Sequence, residues 1–179
     1  MPKFIDFRAT FAKLGNWPGN ADPMRGKIVF DAACSLKPGS TIIEVGSFCG
    51  RMTSIIGAGA KNSGANKIVC VEEWGIHPPP VKLWFDKCVV LNGLADLIVP
   101  VSATNLVPWD DLQIEADLLV LSFESGKRLD AQDWQRYLKP GAKTISFVEL
   151  NWPMLNPISL NHGAFVYEQK EAEETKAAD

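Results

Sequence analysis

The chain has 179 residues, of which 46% are hydrophobic, and a formal net charge of −3. These values are typical of one globular domain, and the even scatter of Lys and Arg gives no reason to expect nucleic acid or an anionic membrane as a partner. No run of about 18 apolar residues predicts a membrane span, and the N-terminus lacks the apolar core of a signal peptide, so we expect a cytoplasmic protein.

Apolar strand patterns alternate with helical patterns along the chain. Helices are expected at about 24–36, 51–61, 81–92 and 129–138, the first of them with Asp22 as its N-cap and Pro23 in its first turn. Strands are expected at 41–45, 67–71, 97–101, 116–121, 143–148 and 164–168. We predict a single domain over 1–179, with an N-terminal extension at 1–23 and a charged tail at 169–179.

This alternation predicts a Rossmann-like, doubly wound α/β fold, with a mostly parallel sheet and helices on both faces. The runs at 97–101 and 116–121 are almost continuously apolar, as in strands that are covered on both faces. Ligands of such sheets bind beyond the carboxyl ends of the strands. The segments to examine for chemistry are therefore 46–50, 72–80, 102–109 and 122–128.

The first of these segments is a glycine turn that runs from Glu44 to Gly50. Gly46 allows a tight turn and close approach of a ligand, and Gly50 lets the next helix begin against the sheet. The N-terminus of that helix offers free N–H groups to an anion. Because the middle glycine of the G-x-G-x-x-G fingerprint is absent, a cofactor without a pyrophosphate fits better than a nicotinamide or other dinucleotide.

The second segment is Glu72-Glu73-Trp74, at the end of the second predicted strand. An acidic side chain about 20 residues after the glycine turn is placed to accept hydrogen bonds from ribose hydroxyls. The alternative is a solvated acidic pair beside a packing tryptophan. Cys34, Cys49, Cys70 and Cys88 form no C-x-x-C pair, so we expect reduced cysteines and no metal site.

The stretches IIEVGSFCGRMTSII and IVCVEEW together resemble the class I S-adenosylmethionine-dependent methyltransferases, and most of all the small O-methyltransferase-like branch. The similarity continues through LNGLADLIVPVSATN, ADLLVLSFES and WQRYLKPGAKTISFVE, so it covers about residues 24–149. The resemblance implies S-adenosylmethionine as cofactor. It also implies site residues, with Glu44, Gly46, Ser47 and Gly50 around the methionine part, Glu72 at the ribose, Thr104 at the adenine and Ser122 near the methyl group.

Two positions depart from the pattern of the branch. Thr104 stands where many members have an acid, and Ser122 to Ser125 replace the Asp-Gly-Asp-His stretch that carries a metal ligand in metal-dependent members. Mg²⁺ needs several hard oxygen ligands in one place, so metal-dependent chemistry is not expected. We expect methyl transfer to a small molecule at oxygen, with Glu124 and His77 as candidate bases.

The alternative function is a non-catalytic cofactor-binding or scaffold protein with the same fold, because the acids at Thr104 and Ser122 are missing. Trp17 is a candidate for shaping the acceptor pocket, and its alternative is a packing role. A homodimer is compatible with the sequence.

Overall fold

The computed structural model of the chain describes residues 4–102, 114–122, 134, 136–150 and 154–170. Its helices in these ranges are α1 (Phe7–Leu14), α2 (Pro23–Cys34), α3 (Arg51–Ser63) and α4 (Pro80–Leu91), and a 3-10 turn lies at Trp74–Ile76. Its strands are β1 (Thr41–Val45), β2 (Lys67–Glu72), β3 (Ile98–Ser102), β4 (Ala116–Leu121), β5 (Leu138–Ser146), β6 (Leu155–Asn161) and β7 (Ala164–Gln169).

The strands form one sheet in the order β3-β2-β1-β4-β5-β7-β6. The first five strands are parallel, and β7 runs antiparallel to both of its neighbours. The predicted doubly wound, mostly parallel α/β sheet is therefore confirmed. The chain reverses its direction of winding between β1 and β4, and the crevice beyond the carboxyl ends of these two strands is where such sheets bind ligands.

Alternate residues of the central strands face two separate cores. Ile42 points to a core that contains the apolar faces of α1 to α4. Ile43 points to the opposite core, which also contains Trp134 and Tyr137 from the chain before β5. Burial on both faces favours apolar residues at successive positions of a strand, which is why Ile42 and Ile43 follow each other in β1.

The prediction that the run at 97–101 is covered on both faces is wrong. β3 lies at the edge of the sheet and pairs with β2. Ile98 is buried, whereas Val99 keeps 38% of its surface exposed. An edge strand has fewer neighbours to cover it, so its apolar composition overstates its burial.

The predicted boundary between a helix at 129–138 and a strand at 143–148 is also wrong, because β5 already begins at Leu138. Leu138 pairs with Ala116, and Lys143 pairs with Leu118, so the intervening Pro-Gly turn is accommodated as an irregularity of the strand. An ion pair of 2.8 Å between Lys139 and Asp117 fixes this part of β5 on β4. Tertiary pairing thus overrides a local pattern that is typical of a helix end.

The predicted N-cap is confirmed, since Asp22 accepts hydrogen bonds from the backbone N–H groups of Met24 and Arg25 at 2.9 and 3.0 Å. The predicted N-terminal extension contains α1, which packs on the core through Phe7 and Leu14. Sequence analysis also missed β6, the outer strand of a hairpin with β7. None of the helices in the described ranges has the length and hydropathy that crossing a membrane requires.

The contact between α2 and α3 leaves no space for a side chain at Gly59. A Cβ atom there would lie 2.7 Å from the carbonyl oxygen of Phe30 and 2.7 Å from Cβ of Ala33. We expect Gly59→Ala to lower the free energy of unfolding by about 1–3 kcal/mol, the usual cost of overpacking. Urea denaturation measures this, with Gly75→Ala as control, because a Cβ at Gly75 meets no atom within 4 Å. Equal stability of the two variants would contradict the packing described here.

Candidate cofactor site

The turn between β1 and α3, residues 46–50, has an unusual backbone. Gly46 and Gly50 adopt positive φ values of 87° and 85°, and Phe48 lies in the left-handed region at 44°. A non-glycine residue in that region stores strain of about 1 kcal/mol or more. At Gly50 a Cβ would also lie 3.0 Å from Cβ of Cys88. Both glycines predicted to shape the turn are therefore required by its geometry.

Side chains from outside the turn hold Phe48 and Cys49 in place. Glu72 accepts a hydrogen bond of 2.8 Å from the backbone N–H of Phe48, and the indole N–H of Trp74 donates to the carbonyl of Phe48 at 3.2 Å. The indole N–H of Trp17 donates to the carbonyl of Cys49 at 2.8 Å. Contacts from two separate parts of the chain, 72–74 and Trp17, thus stabilise a backbone that would otherwise relax.

The turn leads directly into the N-terminus of α3, whose N-cap is Gly50. Within the part of the chain that the structure describes, this end of the helix has no side-chain cap. The N–H groups of a first helical turn have no partners within the helix, and the helix dipole makes that end attractive to anions. The end of β1 therefore presents a set of backbone donors beside a turn without bulky side chains at Gly46 and Gly50.

Glu44 lies beneath the turn and is fully buried. Its Oε2 accepts hydrogen bonds from the hydroxyls of Ser47 and Thr53 at 2.9 and 2.5 Å, and a weaker one from the Cys70 thiol at 3.5 Å. Its Oε1 accepts from the Ser122 hydroxyl at 3.3 Å. Burial raises the pKa of Glu44 above its ordinary value, and these hydrogen bonds act in the opposite direction.

Five of the predicted cofactor residues thus fall into two groups. Glu44, Ser47 and Ser122 form one buried network beneath the turn, in which the side chain of Glu44 has no exposed surface. Gly46 and Gly50 form the turn itself. Thr104 and Glu124 lie outside the described residues.

Glu72 and His77, which the sequence assigned to different roles, lie together. Oε1 of Glu72 is 3.3 Å from Nε2 of His77, and it also accepts a hydrogen bond of 2.8 Å from the backbone N–H of Glu73. The Glu72 side chain is 11% exposed and the His77 side chain 27%. The ring of His77 meets the ring of Phe48 edge-on, with centroids 5.4 Å apart.

Sequence analysis missed Arg51, the first residue of α3. Its guanidinium donates hydrogen bonds to the carbonyls of Gly15, Trp17 and Ala21 at 2.8, 2.7 and 3.2 Å and lies over the ring of Phe11. These contacts dock residues 15–21 against the start of α3. The sequence signal that could have indicated a special role for Arg51 is its position at a helix N-terminus, where the helix dipole disfavours a cation.

The cysteines are free thiols, as expected. Burial raises the pKa of Cys70 well above its ordinary value and that of Cys88 to about 11, so neither is an activated nucleophile. Within the ranges that the structure describes, no three His, Cys, Asp or Glu side chains are grouped so that they could hold a metal ion.

Neither a protein-family model nor a curated protein matches the sequence. Solved structures do share the fold. The methyltransferase PaMTH1 of Podospora anserina, solved with S-adenosylhomocysteine (SAH) bound, aligns with a TM-score of 0.67 at 13% identity, over 93% of this chain and 86% of that one. An O-methyltransferase of Bacillus cereus in complex with SAH gives 0.63 at 14% identity, over 96% and 93%.

An RNA methyltransferase of Salinibacter ruber in complex with SAH aligns with a TM-score of 0.56 at 20% identity, over 82% of this chain and 91% of that one. The chain therefore has the fold of the class I S-adenosylmethionine-dependent methyltransferases, as the resemblance of its motifs implied. Sequence identities this low support a shared fold and do not identify the methyl acceptor, which has to be argued from the site.

The raised pKa of Glu44 makes stability depend on pH. The folded protein retains a proton on Glu44 at pH values where the unfolded chain has lost it, so the free energy of unfolding should fall as pH rises from the ordinary pKa of 4.5 through the raised value. The slope from this one group is at most about 1.4 kcal/mol per pH unit. Denaturant titrations over this pH range measure it, and in Glu44→Gln this component should vanish. An identical slope in both proteins would contradict the assignment.

Proposed function

We propose that the chain is an S-adenosylmethionine-dependent methyltransferase that acts on a small-molecule acceptor at oxygen, without a metal ion. The observation that carries this proposal is that the N-terminus of α3 and the side chain of Glu72 lie at the same glycine turn. The first feature suits the anionic end of an amino acid, and the second suits a ribose. S-adenosylmethionine has both groups and no pyrophosphate.

The donor set fits this cofactor. The backbone N–H groups at the start of α3 would hold the methionine carboxylate, and Gly46, with φ 87°, would let the chain that follows it lie close to the backbone. Gly50 serves the packing of the turn, because a Cβ there would lie 3.0 Å from Cβ of Cys88 in α4. Glu72 would accept from the ribose, since Phe48 N–H is the one donor to its Oε2 among the described residues and an oxygen of a carboxylate can accept two.

Glu44 and Ser122 receive different roles from those that the resemblance implies. Because Glu44 is enclosed and accepts four hydrogen bonds, we propose that it fixes the turn and does not touch the cofactor. Ser122 donates into the same network at the end of β4, so it would shape the floor of the methyl site. Ser47, through its hydroxyl, belongs to this support as well.

The sulfonium, when bound, supplies an activated methyl group, so alignment of an acceptor is the main demand on the protein. The rigid turn, held by Trp17, Trp74 and Glu72, would fix the cofactor for that alignment. Glu124 remains our candidate base for an acceptor hydroxyl. We assign His77 to Glu72 instead, because its Nε2 already lies against that carboxylate.

A small-molecule acceptor is favoured over RNA by charge. The net charge of −3 supplies no excess of cations for a phosphate backbone, although one structural neighbour is an RNA methyltransferase. Oxygen as the site of transfer is supported by the O-methyltransferase-like motifs. Independence of metal is supported by Ser122 at the position of the ligand-bearing acid in metal-dependent members.

A second candidate function is cofactor binding without catalysis. The observation in its favour is that Ser122 directs its hydroxyl to Glu44 at the strand end where metal-dependent members of the branch have an acid. Both candidates require the cofactor site, and only the first requires an acceptor.

Isothermal titration calorimetry with S-adenosylmethionine and SAH tests the cofactor site. We expect binding by the wild type, and a loss of affinity of about tenfold or more in Glu72→Ala, because a hydrogen bond to a charged group contributes about 1.5–3 kcal/mol. Glu73→Ala removes the neighbouring carboxylate and should keep the affinity within about threefold. Thermal unfolding of each variant separates lost binding from lost folding.

Absence of binding by the folded wild type would refute the proposed function in both forms. Binding without methyl transfer to a broad panel of phenols, carboxylic acids and sugars would favour the non-catalytic form. Undiminished affinity in Glu72→Ala would remove the ribose assignment alone.

A further inference from the structure

The hydrogen bonds of Glu72 leave its two carboxylate oxygens unequal. A carboxylate offers about four acceptor positions, two on each oxygen. Oε1 accepts from the backbone N–H of Glu73 at 2.8 Å and lies 3.3 Å from Nε2 of His77. Oε2 accepts from the backbone N–H of Phe48 at 2.8 Å. Within the described residues, Oε1 therefore has two donors and Oε2 has one.

His77 is held in this position by its neighbours. Its ring meets the Phe48 ring at an interplanar angle of 77°, and its backbone N–H donates to the carbonyl of Trp74 at 3.3 Å. Its backbone is extended, with φ −91° and ψ 155°. The three prolines at 78–80 follow, and a residue before proline is restricted to extended conformations. The backbone of His77 and the contact with Phe48 thus place the imidazole against Oε1.

Among the described residues, the remaining acceptor capacity of Glu72 belongs to the oxygen that is bonded to the glycine turn. Oε2 is the oxygen bonded to Phe48, whose left-handed backbone is held from the other side by the Trp74 indole. A ribose bound along the turn, as the proposed function requires, would meet this oxygen. A diol that used both oxygens in equal measure would have to compete with His77 for Oε1.

We propose that His77 is a specificity-determining residue that makes Glu72 bind one ribose hydroxyl, because its imidazole occupies Oε1 and leaves Oε2 to the ligand. This rests on the proposed function, since it presupposes that Glu72 faces the ribose of S-adenosylmethionine. His77 acts through Glu72 and is a positioning residue. The consequence is an asymmetry between the 2′ and 3′ hydroxyls of the cofactor.

Calorimetric titrations with SAH, 2′-deoxy-SAH and 3′-deoxy-SAH test this. In the wild type, removal of one hydroxyl should weaken binding about tenfold, and removal of the other less than about threefold. His77→Phe keeps a ring against Phe48 and removes the donor, so both removals should then cost about tenfold. His77→Gln can place an amide N–H near the position of Nε2 and should restore the wild-type asymmetry.

A merely structural role of His77 would weaken all three ligands by the same factor and leave their ratios unchanged. Equal losses for the two deoxy ligands in the wild type, or an unchanged asymmetry in His77→Phe, would overturn the inference while SAH binding keeps the proposed function intact. Failure of the wild type to bind SAH at all would overturn both.

Discussion

The buried carboxyl group of Glu44 is the point at which the elements around the site are joined. Its two oxygens accept hydrogen bonds from the glycine turn, α3, β2 and the residue after β4. Desolvation of a carboxyl group is costly unless donors surround it, and here two of the four donors, Cys70 and Ser122, come from parts of the chain distant in sequence. The full set of donors therefore depends on the sheet having assembled, because pairing of β1 with β2 and β4 brings these two residues to Glu44.

The central strands and the capped helix were predictable because local signals and tertiary environment agree there. β1 and β4 were predicted with the bounds that they have, since strands buried on both faces are mostly apolar, with Glu44 and Asp117 as the charged exceptions. Where the burial or the start of a strand depends on its position in the sheet, the residue composition of the segment gave a wrong prediction. β3 has the apolar run of a central strand but lies at an edge, and the Lys139-Pro-Gly segment is drawn into β5 by pairing with β4.

The residues of the candidate site also differ in whether local sequence signals could predict them. The glycine positions and Glu72 could be found from the sequence, because a tight strand-to-helix turn and an acid at the next strand end are local requirements. The partnership of Glu72 with His77, and the contact of Trp17 with Cys49, depend on side-chain directions that no spacing rule contains. Trp17 thus supports the turn. Its hydrogen bond gives it a more specific role than the packing role that was the alternative in the sequence analysis.

Docking of residues 15–21 onto Arg51 is made almost wholly through backbone carbonyls. Carbonyl groups belong to every residue type, so these hydrogen bonds do not by themselves specify the side chains of the segment. Other constraints act at four of its positions. Gly15 has φ 47°, and Gly19 has φ 133°, where a Cβ would also lie 2.9 Å from Cβ of Arg51. Ala21 is buried in the core, and Trp17 supplies a side-chain hydrogen bond from the segment to the turn. Homologues of this chain should therefore retain small residues and an indole at these four places and diverge at the others.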